Sequence, residues 1–330
     1  MDLKNIYQPI KKDLKIVDDL LREAFKRTKN RSILKLTDYL LGSPGKRIRP
    51  ALVVLSAKAV SCHKSRDIEA AIIKIAAAVE LIHLASLTHD DVVDHASLRH
   101  NKQSVNRKWG DDVSIALGDY LYSEGFELIS SCGNADILSC ISQATKAMCE
   151  GELIQICQRD NFSLSKRRYF IIVKKKTASL FAASCQAGAK TANSSAFLEG
   201  ALKNYGLNFG IAFQIIDDYL DLVSEKERLG KAPGQDIAVG EMTLPLLNLL
   251  ESTKVNKRPT LLRLIKSKDK RSLKEIKKRL LHFDAVCGMK KSTLFYVNAA
   301  KATLNILPDS VYRDALIRLA DFLLRKGFPL

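Results

Sequence analysis

The sequence lacks most of the marks of a secreted, membrane-spanning or metal-clustered protein. Its seven cysteines (Cys62, Cys132, Cys140, Cys149, Cys157, Cys185 and Cys287) include no Cys-x-x-Cys pair and have no histidine nearby at zinc-ligand spacing, which excludes a zinc ribbon or a thioredoxin-type redox motif. Reduced thiols acting as small buried hydrophobes, in a reducing cytoplasm, are the expected use of such a set. No stretch of about 18 or more uncharged apolar residues occurs, because Lys74 and Glu80 interrupt the best one around residues 68–88. A membrane-spanning segment is therefore not expected. The first 25 residues alternate charged and apolar positions without an apolar core or a small-residue cleavage site, so no signal peptide is expected either. Proline is absent from residues 51–232, and no hairpin dipeptide lies between alternating residues. These last two absences remove the usual punctuation of a β protein.

What is present is an α-helical pattern. The 330 residues are 46% hydrophobic and 27% charged, which excludes disorder and suffices for a large core without staples. Apolar residues recur at three- and four-residue spacing, as in Ile68, Ile72, Ile75, Val79 and Ile82, or Leu198, Leu202, Tyr205, Phe209, Phe213 and Ile216. The spacing predicts helices over 11–41, 50–62, 66–96, 110–131, 135–158, 165–190, 195–224, 243–252, 258–268, 272–283, 291–305 and 309–326. No linker or repeat divides them, so residues 1–330 are expected to form a single all-α domain.

The formal net charge of +17 is concentrated in one place. Residues 254–291 hold fourteen Lys and Arg against three acids, a local excess of +11. Aromatic residues do not interleave these charges, apart from Phe283, and no groove-reading motif is present, so nucleic acid is not the expected partner. A solvated helical face, of a kind that favours anionic lipid headgroups, fits the pattern better.

Two segments carry the chemistry. The run Leu81-Ile82-His83-Leu84-Ala85-Ser86-Leu87-Thr88-His89-Asp90-Asp91-Val92-Val93-Asp94 and the run Ala212-Phe213-Gln214-Ile215-Ile216-Asp217-Asp218-Tyr219-Leu220-Asp221 each place a DDxxD in an apolar helix. The i, i+4 spacing puts Asp90 with Asp94, and Asp217 with Asp221, on one helical face. Stacked carboxylates repel one another, and beside apolar residues they need a cation. Hard oxygen donors without His or Cys select Mg²⁺, which takes few carboxylates and completes its shell with water and phosphate oxygens. One such cluster is compatible with an acidic surface; two, 127 residues apart, are not. Cations accompany them. Gly45-Lys46-Arg47-Ile48-Arg49-Pro50 offers three at a helix N-terminus, and Arg99, Lys174–Lys176 and Lys231 add more. The set reads as a site for two diphosphates, one on metal and one on cations.

At this point the sequence resembles the trans-polyprenyl diphosphate synthases, and among them the bacterial octaprenyl type. The resemblance runs from about Tyr39 to Arg325 and rests on Gly-Lys-Arg-Ile-Arg-Pro, the Leu-Ile-His before the first DDxxD, Gly118-Asp119-Tyr120-Leu121-Tyr122, Lys176-Thr177-Ala178, Phe213-Gln214-Ile215-Ile216-Asp217-Asp218, Leu307-Pro308-Asp309-Ser310 and Tyr312-Arg313-Asp314-Ala315-Leu316. It implies a bundle of long helices around a central cavity, usually dimeric. It also implies that Asp90, Asp94, Asp217 and Asp221 hold Mg²⁺ against an allylic diphosphate, with Asp91 and Asp218 in support. Lys46, Arg49 and His83 would bind isopentenyl diphosphate, and Arg99, Lys176 and Lys231 the allylic diphosphate. Thr177 and Gln214 would face the allylic chain. Small residues at Ala85 and Ser86, one turn before Asp90, would let a growing tail pass, so the implied product is a long all-trans polyprenyl diphosphate of the kind destined for a quinone side chain. Two positions depart from the family pattern: His100 stands where a second arginine usually follows Arg99, and Glu241 where a lysine usually precedes Met-Thr-Leu-Pro-Leu. A farnesyl- or geranylgeranyl-length synthase, a terpene cyclase and a weakly active partner subunit of a heteromeric enzyme are the alternatives.

Overall fold

The computed structural model of the chain describes residues 2–26, 28–42, 45–61, 65–223, 234–280 and 284–328. Lys231 and Phe283 lie outside them. Short α1 (Leu3–Ile6) leads into α2 (Lys11–Lys26) and α3 (Arg31–Leu41). Sequence periodicity alone predicts one helix over 11–41; the structure makes two, because Asn30 is extended and its side-chain oxygen accepts the amides of Ser32 and Ile33 at 2.9 and 3.4 Å. This side chain supplies an N-cap and so starts a new helix. Next come α4 (Ile48–Val60) and α5 (Arg66–Val93), then α6 (Val105–Trp109), α7 (Asp111–Ser130), α8 (Ala135–Ile156), α9 (Lys166–Val173), α10 (Ser179–Thr191) and α11 (Ala196–Val223). The later part contains α12 (Gln235–Val239), α13 (Leu244–Ser252), α14 (Arg258–Ser267), α15 (Lys270–Leu280), α16 (Asp284–Thr303) and α17 (Val311–Gly327). The all-α expectation is met.

The two DDxxD helices, α5 and α11, have 28 residues each, roughly 42 Å of helix. α5 is long and apolar enough to cross a bilayer, yet 61% of its most apolar window is buried inside the protein. It packs on α7 and α4, while α11 packs on α10 and α16. The main core takes Ile75, Val79 and Ile82 from α5 and Tyr205 and Phe209 from α11. A second core gathers Ile211, Ile215 and Leu222 of α11 with α9 and α13–α15.

Two local departures from the helical plan position functional groups. Leu98–Arg99 and Lys102–Gln103 pair as a minimal antiparallel hairpin, with His100 and Asn101 in the left-handed region at φ 51° and 61°. The sequence carries no Asn-Gly or Asp-Gly there, so this turn was not expected. Between α9 and α10, Lys174–Ala178 forms a wide π turn, where the extra residue per turn re-aims Lys176 and Thr177. Only glycine fits opposite it: a Cβ on Gly151 of α8 would lie 2.4 Å from the Lys176 amide nitrogen. The described cysteines are free, as expected, but only Cys185 is fully buried; Cys149, Cys157 and Cys287 are exposed.

Candidate functional site

The two acid motifs open into one cavity of about 700 Å³. Their aspartates divide by role. Asp91, 2% exposed, accepts Arg99 Nε at 2.8 and 2.9 Å and Arg99 Nη2 at 2.7 Å. Asp218, 4% exposed, accepts the Tyr169 hydroxyl at 2.6 Å and the Gln214 amide at 2.7 Å. The second aspartate of each motif is thus fastened inside the protein. Asp94 is on the cavity wall but is held by Arg159 Nη2 at 2.5 Å. Asp90 and Asp217 also line the cavity, and neither carboxylate accepts a hydrogen bond from, or ion-pairs with, any described residue.

Asp221 is placed differently from the sequence expectation. It is 1% exposed and does not reach the cavity wall. Its carboxylate accepts the Asp236 amide at 3.3 Å, and its carbonyl accepts the Gly234 amide at 2.9 Å. It therefore tethers the segment that carries Asp236, which does line the cavity. The i, i+4 spacing holds, but along α11 the wall reaches Leu220 and leaves Asp221 behind it.

Burial sets the electrostatics. Asp90 is pushed up to about 7, first by burial, against the opposing pull of Lys176. Asp218 is likewise raised to about 7 by burial, which outweighs the bonds from Tyr169 and Gln214. An ionised carboxylate in this setting lacks compensation. Among the described residues no three His, Cys, Asp or Glu side chains converge to cage a metal by themselves. The donor set suits a divalent cation that receives its remaining oxygens from water and a phosphorylated ligand.

The cations are equally differentiated. Lys46 and Arg49 line the cavity. Arg49 is half-buried, is lowered to about 10 by burial, stacks 4.2 Å from the Phe181 ring centroid and leaves its Nε without a partner. A half-buried guanidinium with an idle donor is a ready anion site. Arg47 does not share that role. It sits in the left-handed region at φ 51° and commits its guanidinium to Asp18 and Glu80, both at 2.7 Å. The Tyr7 hydroxyl donates to the Lys46 carbonyl at 3.1 Å, so the N-terminal segment and Arg47 together brace the loop. Of the three cations expected in this loop, two are available.

His83 lines the cavity, and its pKa falls well below the ordinary imidazole value, first through burial and then through Arg49 and Arg99. The ring is therefore held neutral. Lys176 is ion-paired with Glu152 and also feels Asp90. Thr177 donates to Gln214 at 2.7 Å, linking the π turn to α11. His100 sits at the hairpin tip on the cavity rim, its pKa lowered by burial and then by Arg99. Glu241, the departure on the other side, lies 3.8 Å from Arg159; its pKa is raised by burial against the pull of Lys176. The charge reversal is therefore partly absorbed locally. Ser86 lines the cavity, but Ala85, 0% exposed, belongs to the main core and not to the wall.

Some cations of the site escape sequence reasoning. Lys326, near the end of α17, lines the cavity 5.5 Å from the Phe213 ring centroid and is lowered to about 8 by burial and then by Lys46. Arg159, which pins Asp94, was missed as well. Neither belongs to a local motif.

Comparison with known proteins gives a consistent picture. The polyprenyl synthetase family model matches residues 30–282. The chain is 34% identical over 292 residues to the octaprenyl diphosphate synthase of Escherichia coli, covering 87% of this chain and 88% of that one. It is also 34% identical over 321 residues to the short chain isoprenyl diphosphate synthase of Methanothermobacter thermautotrophicus, covering 96% and 97%. The structure superposes with a TM-score of 0.92 and 32% identity on a polyprenyl synthase from Caulobacter crescentus complexed with calcium and isoprenyl diphosphate, covering 98% of this chain and 97% of that one. With its paired acid motifs on one cavity, residues 30–282 matched by the family model and 98% of its length covered by a solved polyprenyl synthase, the chain belongs to the polyprenyl synthetase family of prenyl chain-elongating transferases.

Proposed function

We propose that this chain is a magnesium-dependent, long-chain all-trans polyprenyl diphosphate synthase. It would condense isopentenyl diphosphate repeatedly onto an allylic diphosphate, with Asp90, Asp94 and Asp217 as the carboxylates facing the metal. The observation that carries this reading is the pair Asp90 and Asp217, whose carboxylates make no direct hydrogen bond or ion pair with a described residue and line one cavity that also holds Lys46, Arg49 and Lys176. Bound magnesium would neutralise charge on the departing diphosphate oxygens. Arg49, Lys46 and neutral His83 would bind isopentenyl diphosphate and hold its double bond toward the allylic carbon. Arg99, Lys176 and Lys231 would bind the allylic diphosphate. The allylic C–O bond breaks, the isopentenyl double bond attacks, and loss of one proton to the released diphosphate restores an allylic product one unit longer. Thr177 and Gln214 would border that carbon chain. Relatives of similar identity make products from geranylgeranyl to nonaprenyl length, so the long-chain part rests on Ser86, a small residue on the wall one turn from Asp90.

Incubation with Mg²⁺, isopentenyl diphosphate and primers of several lengths, followed by chromatographic sizing, tests the proposal. Products no longer than geranylgeranyl diphosphate would replace it by the short-chain reading. Silence unless a second subunit is added would favour a heteromeric enzyme, a form suggested by 32% identity over 329 residues to a heptaprenyl diphosphate synthase component 2 of Bacillus subtilis. A homodimer is the assembly that the resemblance implies. A cytoplasmic setting would keep the exposed thiols reduced, and a quinone side chain would be the downstream use.

Two further outcomes are expected. Because Asp90 titrates near 7, a cation must displace its proton below that pH. The half-saturating Mg²⁺ concentration should rise by up to about tenfold per pH unit below pH 7 and level off above it. Magnesium titrations at pH 6, 7 and 8 measure this; a flat profile would remove Asp90 from the metal site. His100→Arg should lower the KM for isopentenyl diphosphate roughly two- to fivefold, since it replaces a mostly neutral ring by a permanent cation at a partly exposed position. An unchanged or higher KM would show that the rim contacts the substrate otherwise.

A further inference from the structure

The densest charge in the molecule lies outside the cavity. α14 and α15 form an amphipathic pair in contact with one another. Leu261, Ile265, Ile276 and Leu280 point into the second core. On α15, Lys270, Lys274 and Lys278 recur every four residues, opposite Ser272, Ile276 and Leu280, and all three are exposed. Arg271, and Arg263 and Lys266 on α14, are exposed as well. The two acids in this stretch offset few of them. Asp269 spends its carboxylate on the Arg271 and Ser272 amides at 2.8 and 2.9 Å and on the Ser272 hydroxyl at 3.0 Å, and Glu275 pairs with Arg279 at 2.8 Å. At the entry to the pair, Val255 is 75% exposed beside Lys254 and Lys257. None of residues 254–280 is aromatic.

We infer that the outer face of the α14–α15 pair docks the enzyme on an anionic phospholipid surface. Charge complementarity carries the inference: an array of fixed ammonium and guanidinium groups with its acids already engaged matches a plane of phosphodiester headgroups. A face meant for single-stranded nucleic acid would carry aromatic rings for the bases to stack on. The preference for a bilayer over another polyanion also rests on the long-chain product proposed above, an anionic amphiphile whose consumer must reach it in or at a membrane. The face is joined to the cavity. Leu273 packs against Gly234 closely enough that a Cβ there would lie 2.6 Å from it, and Lys268 pairs with Asp160 at 2.8 Å, whose amide donates to the Gly240 carbonyl at 2.8 Å. Docking would therefore bring the segment holding Asp236 and Glu241 close to the lipid.

Vesicle sedimentation of the full-length protein tests this. Binding is expected to phosphatidylcholine vesicles containing about a third phosphatidylglycerol, not to pure phosphatidylcholine, and is expected to be lost in 0.5 M salt, roughly the regime where screening reaches a few ångströms. Lys270→Gln/Lys274→Gln/Lys278→Gln should weaken it about fivefold per residue, on the order of a hundredfold together. The triple variant should keep its helical circular dichroism and its turnover on a water-soluble primer. Equal binding to neutral vesicles, or an unaltered partition of the variant, would overturn the inference. So would loss of turnover in the variant, since these lysines would then serve the fold or the site. Displacement from anionic vesicles by stoichiometric duplex DNA or RNA, with tighter binding to it, would assign the face to nucleic acid instead. Product length is read in a separate assay, so failure of the long-chain reading and failure of docking are distinguishable.

Discussion

Asp90→Ala and Asp217→Ala should each reduce prenyl transfer by at least a hundred- to a thousandfold, on the order of what removal of one transition-state charge stabiliser costs, while leaving the helical circular dichroism intact. The reason lies in the division of labour within each motif. Asp90 and Asp217 line the cavity without a protein partner, so alanine there breaks no hydrogen bond and strands no cation. Asp90 in particular is a carboxylate that burial already disfavours, so its removal relieves the fold. Asp91 and Asp218 behave in the opposite way. Asp91→Ala leaves Arg99 without the carboxylate that accepts three of its contacts within 2.9 Å, and Asp218→Ala leaves the Tyr169 hydroxyl unsatisfied in the core. Each should lose about 1–3 kcal/mol of stability, along with activity. Thermal melts paired with single-turnover assays separate the two classes. Near-wild-type turnover by purified Asp90→Ala or Asp217→Ala at saturating Mg²⁺ would remove these carboxylates from the chemistry.

Why the long helices were legible and the small features were not follows from the length of their signals. α5 and α11 carry apolar residues at 3.6-residue spacing over 28 positions each, and chance does not imitate that. The separation of α2 from α3 rests on one side-chain oxygen, that of Asn30, set among residues that tolerate a helix. The hairpin at Leu98–Gln103 has two residues in each strand, and its left-handed pair is His-Asn, which carries no sequence flag. The π turn at Lys174–Ala178 has no compositional mark and becomes visible only through the Gly151 contact across from it.

The site divides along the same line. The wall positions Asp90, Asp94 and Asp217 followed from helical spacing, and Gln214 from the resemblance. The partners that differentiate them did not: Tyr169 is 49 residues from Asp218, Arg159 is 65 from Asp94, and Glu80 is 33 from Arg47. A single sequence records which residues share a helix face but not which faces meet. For that reason the sequence marks Arg47 as one of three cations in its loop and Asp221 as a metal-facing carboxylate, and leaves Lys326 unmarked.

Ser86→Phe should shorten the product by roughly one or more five-carbon units while the enzyme remains folded and active. Ser86 precedes Asp90 by one turn, roughly 5.4 Å along α5, and it lines the same cavity. Its hydroxyl is folded back onto the His83 carbonyl at 2.8 Å, so the side chain fills little of the space before it. A phenyl ring there would project into the cavity, where a tail growing away from the metal-facing carboxylates has to pass. Because that space is a cavity wall and not packed core, the ring should cost little stability. Ala85 provides the contrast. It is sealed in the main core, so Ala85→Phe must push neighbours aside at about 1–3 kcal/mol. Any shortening by that variant should therefore arrive with a lowered Tm, whereas shortening by Ser86→Phe should not. Chromatographic sizing of the products of both variants beside wild type, with melts on the same samples, decides the matter. An active Ser86→Phe enzyme with an unchanged product distribution would mean that the tail leaves the cavity by another wall, and the long-chain assignment would lose the residue that supports it.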